Sequence, residues 1–145
     1  MKTISLLLLM NVFLSAFPQV EEIPKKIETA FKSKYPDVTN YDWNYKGEVY
    51  NIEFYKNSSM FTCVIREDGN WIETAEVISD SDAPELLKNY IKKNYPSGAI
   101  SYTEIVESAK NGNFFRVNLD NNNGESFVVR SDKDGKNIVV TKAEE

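Results

Sequence analysis

Two related stretches, residues 23–36 and residues 83–96, predict that two parts of this chain fold in the same way. The corresponding positions are Pro24 and Pro84, Ile27 and Leu87, Phe31 and Ile91, Lys32 and Lys92, Tyr35 and Tyr95, and Pro36 and Pro96. In each copy the apolar residues have helical spacing, and a proline stands near the first turn, where its missing N–H costs no hydrogen bond. The second proline of each copy disfavours helical geometry at the residue before it. Each stretch is therefore predicted to be a short amphipathic helix.

Segments with strand character follow each predicted helix and are separated by turn signals. In the first half they are residues 38–45, 50–54, 61–65 and 71–78, along which apolar and polar residues alternate. In the second half, residues 115–119 correspond to residues 50–54, and the Asp134-Gly135 turn corresponds to Asp68-Gly69, a hairpin signal. The separation grows from 60 residues at the helices to 66 at these turns, which fits insertions in loops.

We therefore predict an α+β fold of two tandem repeats, residues 18–80 and residues 81–145, which together form one compact domain. Each repeat is predicted to contain one helix and a four-stranded antiparallel sheet, because a helix can cover one face of such a sheet. Asp82 is in a suitable position to cap the second helix.

The N-terminus has the pattern of a secretory signal peptide. Lys2 precedes an apolar stretch at residues 4–14, and small residues follow at Ser15 and Ala16. We predict that residues 1–17 form the signal peptide, with cleavage near Ala16 or Phe17, and that the protein is periplasmic or secreted. The alternative is that these residues form an N-terminal anchor that is never cleaved. With either a signal peptide or an anchor, the domain is expected to lie outside the cytoplasm.

Composition disfavours several classes of function. The net charge is −5, which disfavours general nucleic-acid binding and anionic membrane surfaces, and no stable membrane insertion is expected after signal cleavage. The chain has no histidine, the usual general base and commonest zinc ligand. Its one cysteine, Cys63, lies in a strand pattern and is predicted to be buried and inert. We expect no enzyme activity, no cofactor and no metal site.

The order of the elements resembles the PepSY-like, β-lactamase-inhibitor-like proteins of Gram-negative envelopes. The residues that carry the resemblance are Pro24, Ala30-Phe31, Tyr35-Pro36, Trp43, residues 50–54 and residues 68–73. The second copy keeps Pro84, Tyr95-Pro96 and Asp134-Gly135 but lacks both tryptophans. The resemblance implies helices on one face of a curved sheet, and an exported, non-catalytic protein that by analogy grips a partner with the open face.

The face opposite the helices is the candidate partner surface. The residues singled out on it are Tyr55, Arg66, Phe114, Arg116 and Arg130. The alternative is a sheet face that is merely solvated. A second set of aromatic residues, Tyr41, Trp43, Tyr45 and Trp71, could form a binding platform or could lie in the core under the helix.

Three functions remain open from the sequence. The leading hypothesis is a binding module that presents an open sheet face to a protein or peptide, and the second is an inhibitor of a periplasmic hydrolase or protease. The third is a carrier of a small molecule or Ca²⁺ that uses the oxygen-rich segments 120–125 and 132–135, although ordinary hairpin turns also explain these segments. Glu53, Glu73 and Glu76 could supply a carboxylate pair, but their spacing indicates only strand alternation.

Overall fold

The computed structural model describes residues 22–143, so the predicted signal peptide at residues 1–17 lies outside the described residues. The fold is α+β, as predicted. The elements in chain order are α1 (Lys25–Lys34), β1 (Asp42–Lys46), β2 (Val49–Lys56), β3 (Ser59–Arg66), β4 (Trp71–Ile78), a 3₁₀ turn (Asp80–Asp82), α2 (Glu85–Asn94), β5 (Ala99–Ser108), β6 (Gly112–Asp120), β7 (Ser126–Asp132) and β8 (Val139–Lys142). The eight strands form one antiparallel sheet in the order of the chain, so each strand pairs with its sequence neighbours.

Proline and tyrosine define the two ends of each helix. Pro24 and Pro84 are the N-cap residues, and neither helix has a side-chain cap. Each helix ends at a tyrosine whose backbone N–H still donates to a carbonyl of the last turn. The prediction that Asp82 caps α2 is therefore wrong, because Asp82 belongs to the preceding 3₁₀ turn.

The chain between α1 and β1 is not a strand, although alternation predicted one from residue 38. The backbone N–H of Val38 donates to the carbonyl of Tyr35 at 3.3 Å, and the Lys32 ammonium donates to the Val38 carbonyl. Val38 is itself buried in the core. This segment is therefore held against the end of α1, and pairing with β2 begins only at Asp42.

The helices bury their apolar stripes in two separate clusters. Ile27 and Phe31 of α1 pack with side chains of β2 and β3, namely Ile52, Phe54, Cys63 and Ile65. Leu87 and Ile91 of α2 pack with side chains of β6 and β7, namely Val117, Leu119 and Val129. Trp43 and Trp71 are half-buried against the α1 cluster, which favours the core interpretation of the tryptophans.

A polar network joins α1 to the centre of the sheet, where β4 pairs with β5. The hydroxyl oxygen of Thr74 on β4 accepts from the Tyr35 hydroxyl at 2.9 Å and from the indole N–H of Trp71 at 3.0 Å. Lys34 bonds Glu107 on β5 at 3.1 Å, and its ammonium lies 3.8 Å from the centroid of the Trp71 ring. The end of α1 is thereby bonded to β4 and β5, the central pair of strands.

The two Asp-Gly turns pack on the beginnings of the two helices. Gly69 has a φ of +89° and lies beside the flexible side chain of Lys26. Gly135 has a φ of +78°, and a Cβ atom there would lie 2.7 Å from the Cβ of Pro84 and 3.1 Å from the backbone nitrogen of Leu87. The second turn is therefore fitted against rigid backbone, and the first is not.

We predict that Gly135→Ala destabilises the protein more than the matched variant Gly69→Ala. Both changes place a side chain at positive φ, at about 1–2 kcal/mol. Only Gly135→Ala also forces the turn away from α2, which adds about 1–3 kcal/mol of overpacking. Urea denaturation of the two variants measures the difference, and equal losses would contradict the described fit of this turn.

Burial raises the pKa of the Cys63 thiol to about 11. The neutral thiol therefore stabilises the folded protein fully at pH values below the pKa of the thiol in the unfolded chain, about 8.5. This stabilisation is lost as the pH rises through the pKa of the thiol in the folded protein. We expect the stability difference between the native protein and Cys63→Ala to shrink by about 2–3 kcal/mol between about pH 8 and about pH 11. Denaturation across this range measures the difference. Rapid labelling of the folded protein by a thiol reagent at about pH 8 would contradict the burial.

Candidate binding groove on the sheet

The strand side chains that alternate with the two helix-bound clusters lie on the other face of the sheet and line a groove of about 480 Å³. We call this surface the groove face. Asn44 on β1 and Thr141 on β8 both line the groove, so its walls reach the two edge strands. The remaining lining residues are Asn51, Glu53, Thr62, Val64, Glu73, Tyr102, Glu104, Arg116, Asn118, Val128 and Arg130.

A three-residue ion cluster occupies the middle of the groove face. The Nε of Arg116 donates to Glu104 at 2.6 Å, and its Nη1 donates to Glu73 at 2.7 Å. The side chains of Glu104, Glu73 and Arg116 are only 8%, 15% and 21% exposed. Burial alone would lower the pKa of Arg116, but the bonds and charges of the two glutamates outweigh it and raise that pKa. The guanidinium is thus fixed in charge and in position.

Arg130 is held by an aromatic ring instead of a carboxylate. Its guanidinium carbon lies 4.3 Å from the centroid of the Phe114 ring, which is a cation–π distance. Phe114 is itself buried, together with Ala75 and Val106, in a small apolar cluster on this face. Among residues 22–143, no carboxylate lies within 4.0 Å of the Arg130 guanidinium. Its N–H groups therefore keep donor capacity for an anionic group.

The five residues predicted as a partner surface do not form one continuous site. Phe114, Arg116 and Arg130 are neighbours, because Arg116 pairs directly with Arg130 across β6 and β7. Tyr55 and Arg66 lie at opposite ends of the β2–β3 pair, where they face Met60 and Val49. Tyr55 is 73% exposed and lines a second cleft, of about 1300 Å³ beside the end of α1, which shares Glu53 with the groove. Within the described residues, the groove therefore contains Arg116 and Arg130 but neither Tyr55 nor Arg66.

Tyr102 and Glu104 were missed by sequence reasoning, and a bulge explains why. Ile100 pairs with Leu119 and Tyr102 pairs with Asn118, so Ser101 is an extra residue in β5. Alternation alone would put Ile100 and Tyr102 on the same face, but the bulge moves Tyr102 to the groove face. A glutamate two residues after a tyrosine in a strand pattern was the available signal, although alternation does not show which face the pair occupies.

The carboxylates of the oxygen-rich turns accept hydrogen bonds from the turn backbone and from nearby side chains. The Asp132 side chain accepts backbone N–H groups from Asp134 and Lys136, and these bonds hold its pKa below the ordinary value. Glu125 accepts from Lys142 and Asn121, which lowers its pKa as well. In the part of the chain that the structure describes, no three His, Cys, Asp or Glu side chains are brought together so that they could hold a metal ion. Turn formation accounts for these residues, so they do not support a calcium proposal.

No helix within residues 22–143 is long and apolar enough to cross a membrane.

Sequence and structure comparisons agree on the kind of protein this chain is similar to. A model of the family described as "Putative beta-lactamase-inhibitor-like, PepSY-like" matches residues 15–64 and residues 65–138. A search of curated proteins finds no match.

Several crystal structures have a similar fold. A DUF2874 family protein from Bacteroides uniformis superposes with a TM-score of 0.71 at 16% identity, over 83% of this chain and 90% of that one. A protein from Bacteroides eggerthii, described among "putative periplasmic proteins", superposes with a TM-score of 0.71 at 13% identity, over 84% of this chain and 90% of that one. A BLIP-like protein from Bacteroides fragilis superposes with a TM-score of 0.67 at 16% identity, over 88% of this chain and 91% of that one. At these identities the likeness shows the fold.

We predict that Arg116→Met destabilises the protein by about 3–5 kcal/mol, because it leaves two buried carboxylates without their cation. Methionine keeps much of the stem, so the loss reports mainly the missing charge. Arg66→Met is the matched control, since Arg66 is exposed, and it should change stability by less than about 0.5 kcal/mol.

Adding Glu73→Gln and Glu104→Gln to Arg116→Met should recover most of that loss, because the unpaired charges are then gone. Urea denaturation at neutral pH measures all of these variants. Equal stability of Arg116→Met and Arg66→Met would show that the cluster does not matter to the fold.

Proposed function

Since this chain belongs to the PepSY-like family that is described as β-lactamase-inhibitor-like, we propose that it is a non-catalytic protein that binds a segment of a protein or peptide in its groove. The observation that carries the proposal is the groove itself. It combines a fixed arginine between two glutamates with amide and hydroxyl side chains, on a face that the helix-bound clusters leave uncovered. Preorganised polar groups of this kind lose little conformational freedom on binding.

We further propose that residues 18–80 and residues 81–145 are repeats, each made of one helix and a four-stranded antiparallel sheet. Support comes from the element order, from the two helix-bound clusters and from the two Asp-Gly turns packed on the helix starts. In this arrangement both helices cover one face of a curved sheet, and the groove is the hollow of the other. The family match divides the chain at residues 64 and 65 instead.

We place the protein outside the cytoplasm, in the periplasm or secreted. The proposal rests on the signal-peptide pattern of residues 1–17 and on the fold shared with a Bacteroides eggerthii protein described as periplasmic.

Inhibition of a periplasmic hydrolase or protease is the second candidate. The family description and the BLIP-like Bacteroides fragilis structure favour it. A panel of envelope hydrolases, assayed with and without the protein, tests it. An inhibitor should lose potency in Arg130→Ala or Tyr55→Ala, while no inhibition across the panel would exclude this candidate. Arg116→Ala is a poor choice here because it also breaks the ion cluster.

The leading proposal predicts that blocking the groove abolishes partner capture. The blocked variant is Val64→Arg with Val128→Arg, since both valines are half-buried groove residues. The matched control is Leu86→Arg, which adds charge at a residue of α2 that is 51% exposed. Immobilised wild type and control should retain the same proteins from envelope extract, and the blocked variant at least tenfold less. Equal retention by all three folded proteins would contradict a role for the groove.

A further inference from the structure

Two charged side chains of the groove, Glu53 and Arg130, have no ion-pair partner within the described residues, and they stand on opposite sides of the groove. Glu53 on β2 is exposed and has no cation within 4.0 Å in that part of the chain. Arg130 on β7 is half-buried against Phe114 and has no carboxylate within the same distance. The groove therefore offers an unpaired anion near one edge of the sheet and an unpaired cation near the other.

The ion cluster between them adds to this polarity. Glu73 and Glu104 share the single cation Arg116, so the cluster carries a net charge of −1. Glu73 stands on β4, towards Glu53, whereas Arg130 lies beyond Arg116 on the far side. Because Arg116 is already bonded to two carboxylates, it cannot attract a further anion as strongly as Arg130 can. The β2–β4 side is thus acidic, and the β7 side is basic.

Neutral hydrogen-bonding side chains on β2, β3, β6 and β8 also line the groove. Asn51, Thr62, Asn118 and Thr141 line the groove, and amides and hydroxyls can each donate and accept. Such groups suit the peptide bonds of an extended segment, which present one donor and one acceptor per residue. They give little preference for any side chain, so the charged groups at the ends must set specificity.

From this charge distribution we propose that the partner segment is an extended peptide with one basic and one acidic side chain, the basic one over Glu53 and the acidic one on Arg130. The inference rests on the proposed function and names the partner's chemistry. Five strand spacings separate β2 from β7, or about 24 Å along the sheet, which an extended chain covers in about seven residues. Across a hollow groove the path is shorter, so about five to seven residues should separate the two charges.

Selection from a random peptide library displayed on phage tests this proposal, because such a library samples every arrangement of charges along a short segment. Wild type is the bait, and enriched peptides are re-measured against the Val64→Arg/Val128→Arg variant. We expect peptides that contain a basic and an acidic residue at the stated separation, and that bind the blocked variant at least tenfold more weakly.

Single charge reversals in the groove then identify which side of the groove binds the basic side chain of the peptide and which binds the acidic one. Arg130→Glu should select peptides with two basic residues and no acidic one, and Glu53→Lys should select peptides with two acidic residues. Arg66→Glu is the matched control, since it makes the same reversal on the same face outside the groove lining, and it should leave the wild-type preference unchanged. Glu53 is exposed, so Glu53→Lys remains a valid test if Arg130→Glu is unstable.

The outcomes separate the two proposals. Groove-dependent peptides whose charges follow both reversals support this inference. The inference is overturned if groove-dependent peptides show no charge pattern, or if Glu53→Lys and Arg66→Glu select peptides with the same charge pattern. Either result leaves the proposed function standing. If no enriched peptide distinguishes wild type from the blocked variant, the proposed function fails as well.

Discussion

The packing of the two helices against the sheet is the constraint on which the rest of the structure depends. Ile27 with Phe31, and Leu87 with Ile91, cover the apolar side chains of the strands below them. A short isolated helix is marginally stable in water, so packing against the apolar face of the sheet supplies most of the stability of these two helices. Once the helices occupy one face, the opposite face of the antiparallel sheet is left to solvent or to a partner. The location of the groove therefore follows from where the helices pack.

The groove face is stabilised in a way that keeps it polar. A large exposed apolar patch on a sheet face would promote aggregation. On this face the apolar cluster around Phe114 is small and buried. Arg116 with Glu73 and Glu104 fills the middle. Replacing a buried ion cluster with apolar residues is often neutral or stabilising, so stability alone does not explain it. We infer that the cluster fixes the positions of charged groups, as the proposed binding function requires.

Much of the fold could be predicted from the sequence because the repeated signals are local. Prolines, helical spacing and Asp-Gly turns each act within a few residues, and they located both helices and the turns between strands. The resemblance to the PepSY-like family is confirmed by the family match. The prediction of a strand from Val38 to Tyr41 was wrong, because contacts with α1 outweigh the alternation of apolar and polar residues in this segment. The predicted cap at Asp82 was wrong because a 3₁₀ turn intervenes before α2.

The candidate site was harder to predict because two bulges change which face a side chain occupies. An extra residue at Ile72 puts Trp71 beside the α1 cluster and Glu73 in the groove, although they are two positions apart. The bulge at Ser101 does the same for Ile100 and Tyr102. Alternation has a period of two, so one extra residue reverses every assignment beyond it. Neither bulge has a glycine or proline to mark it.

Site-specific photo-cross-linking in the native envelope tests the central claim most directly, because it asks which face of the protein touches another molecule. A photoreactive residue is placed at Thr62 or Asn118 in the groove, and at Leu86 on α2 as the comparison. The account predicts discrete adducts from the two groove positions and none from position 86. Adducts from position 86 alone would contradict it, because the partner would then bind the helices and not the groove.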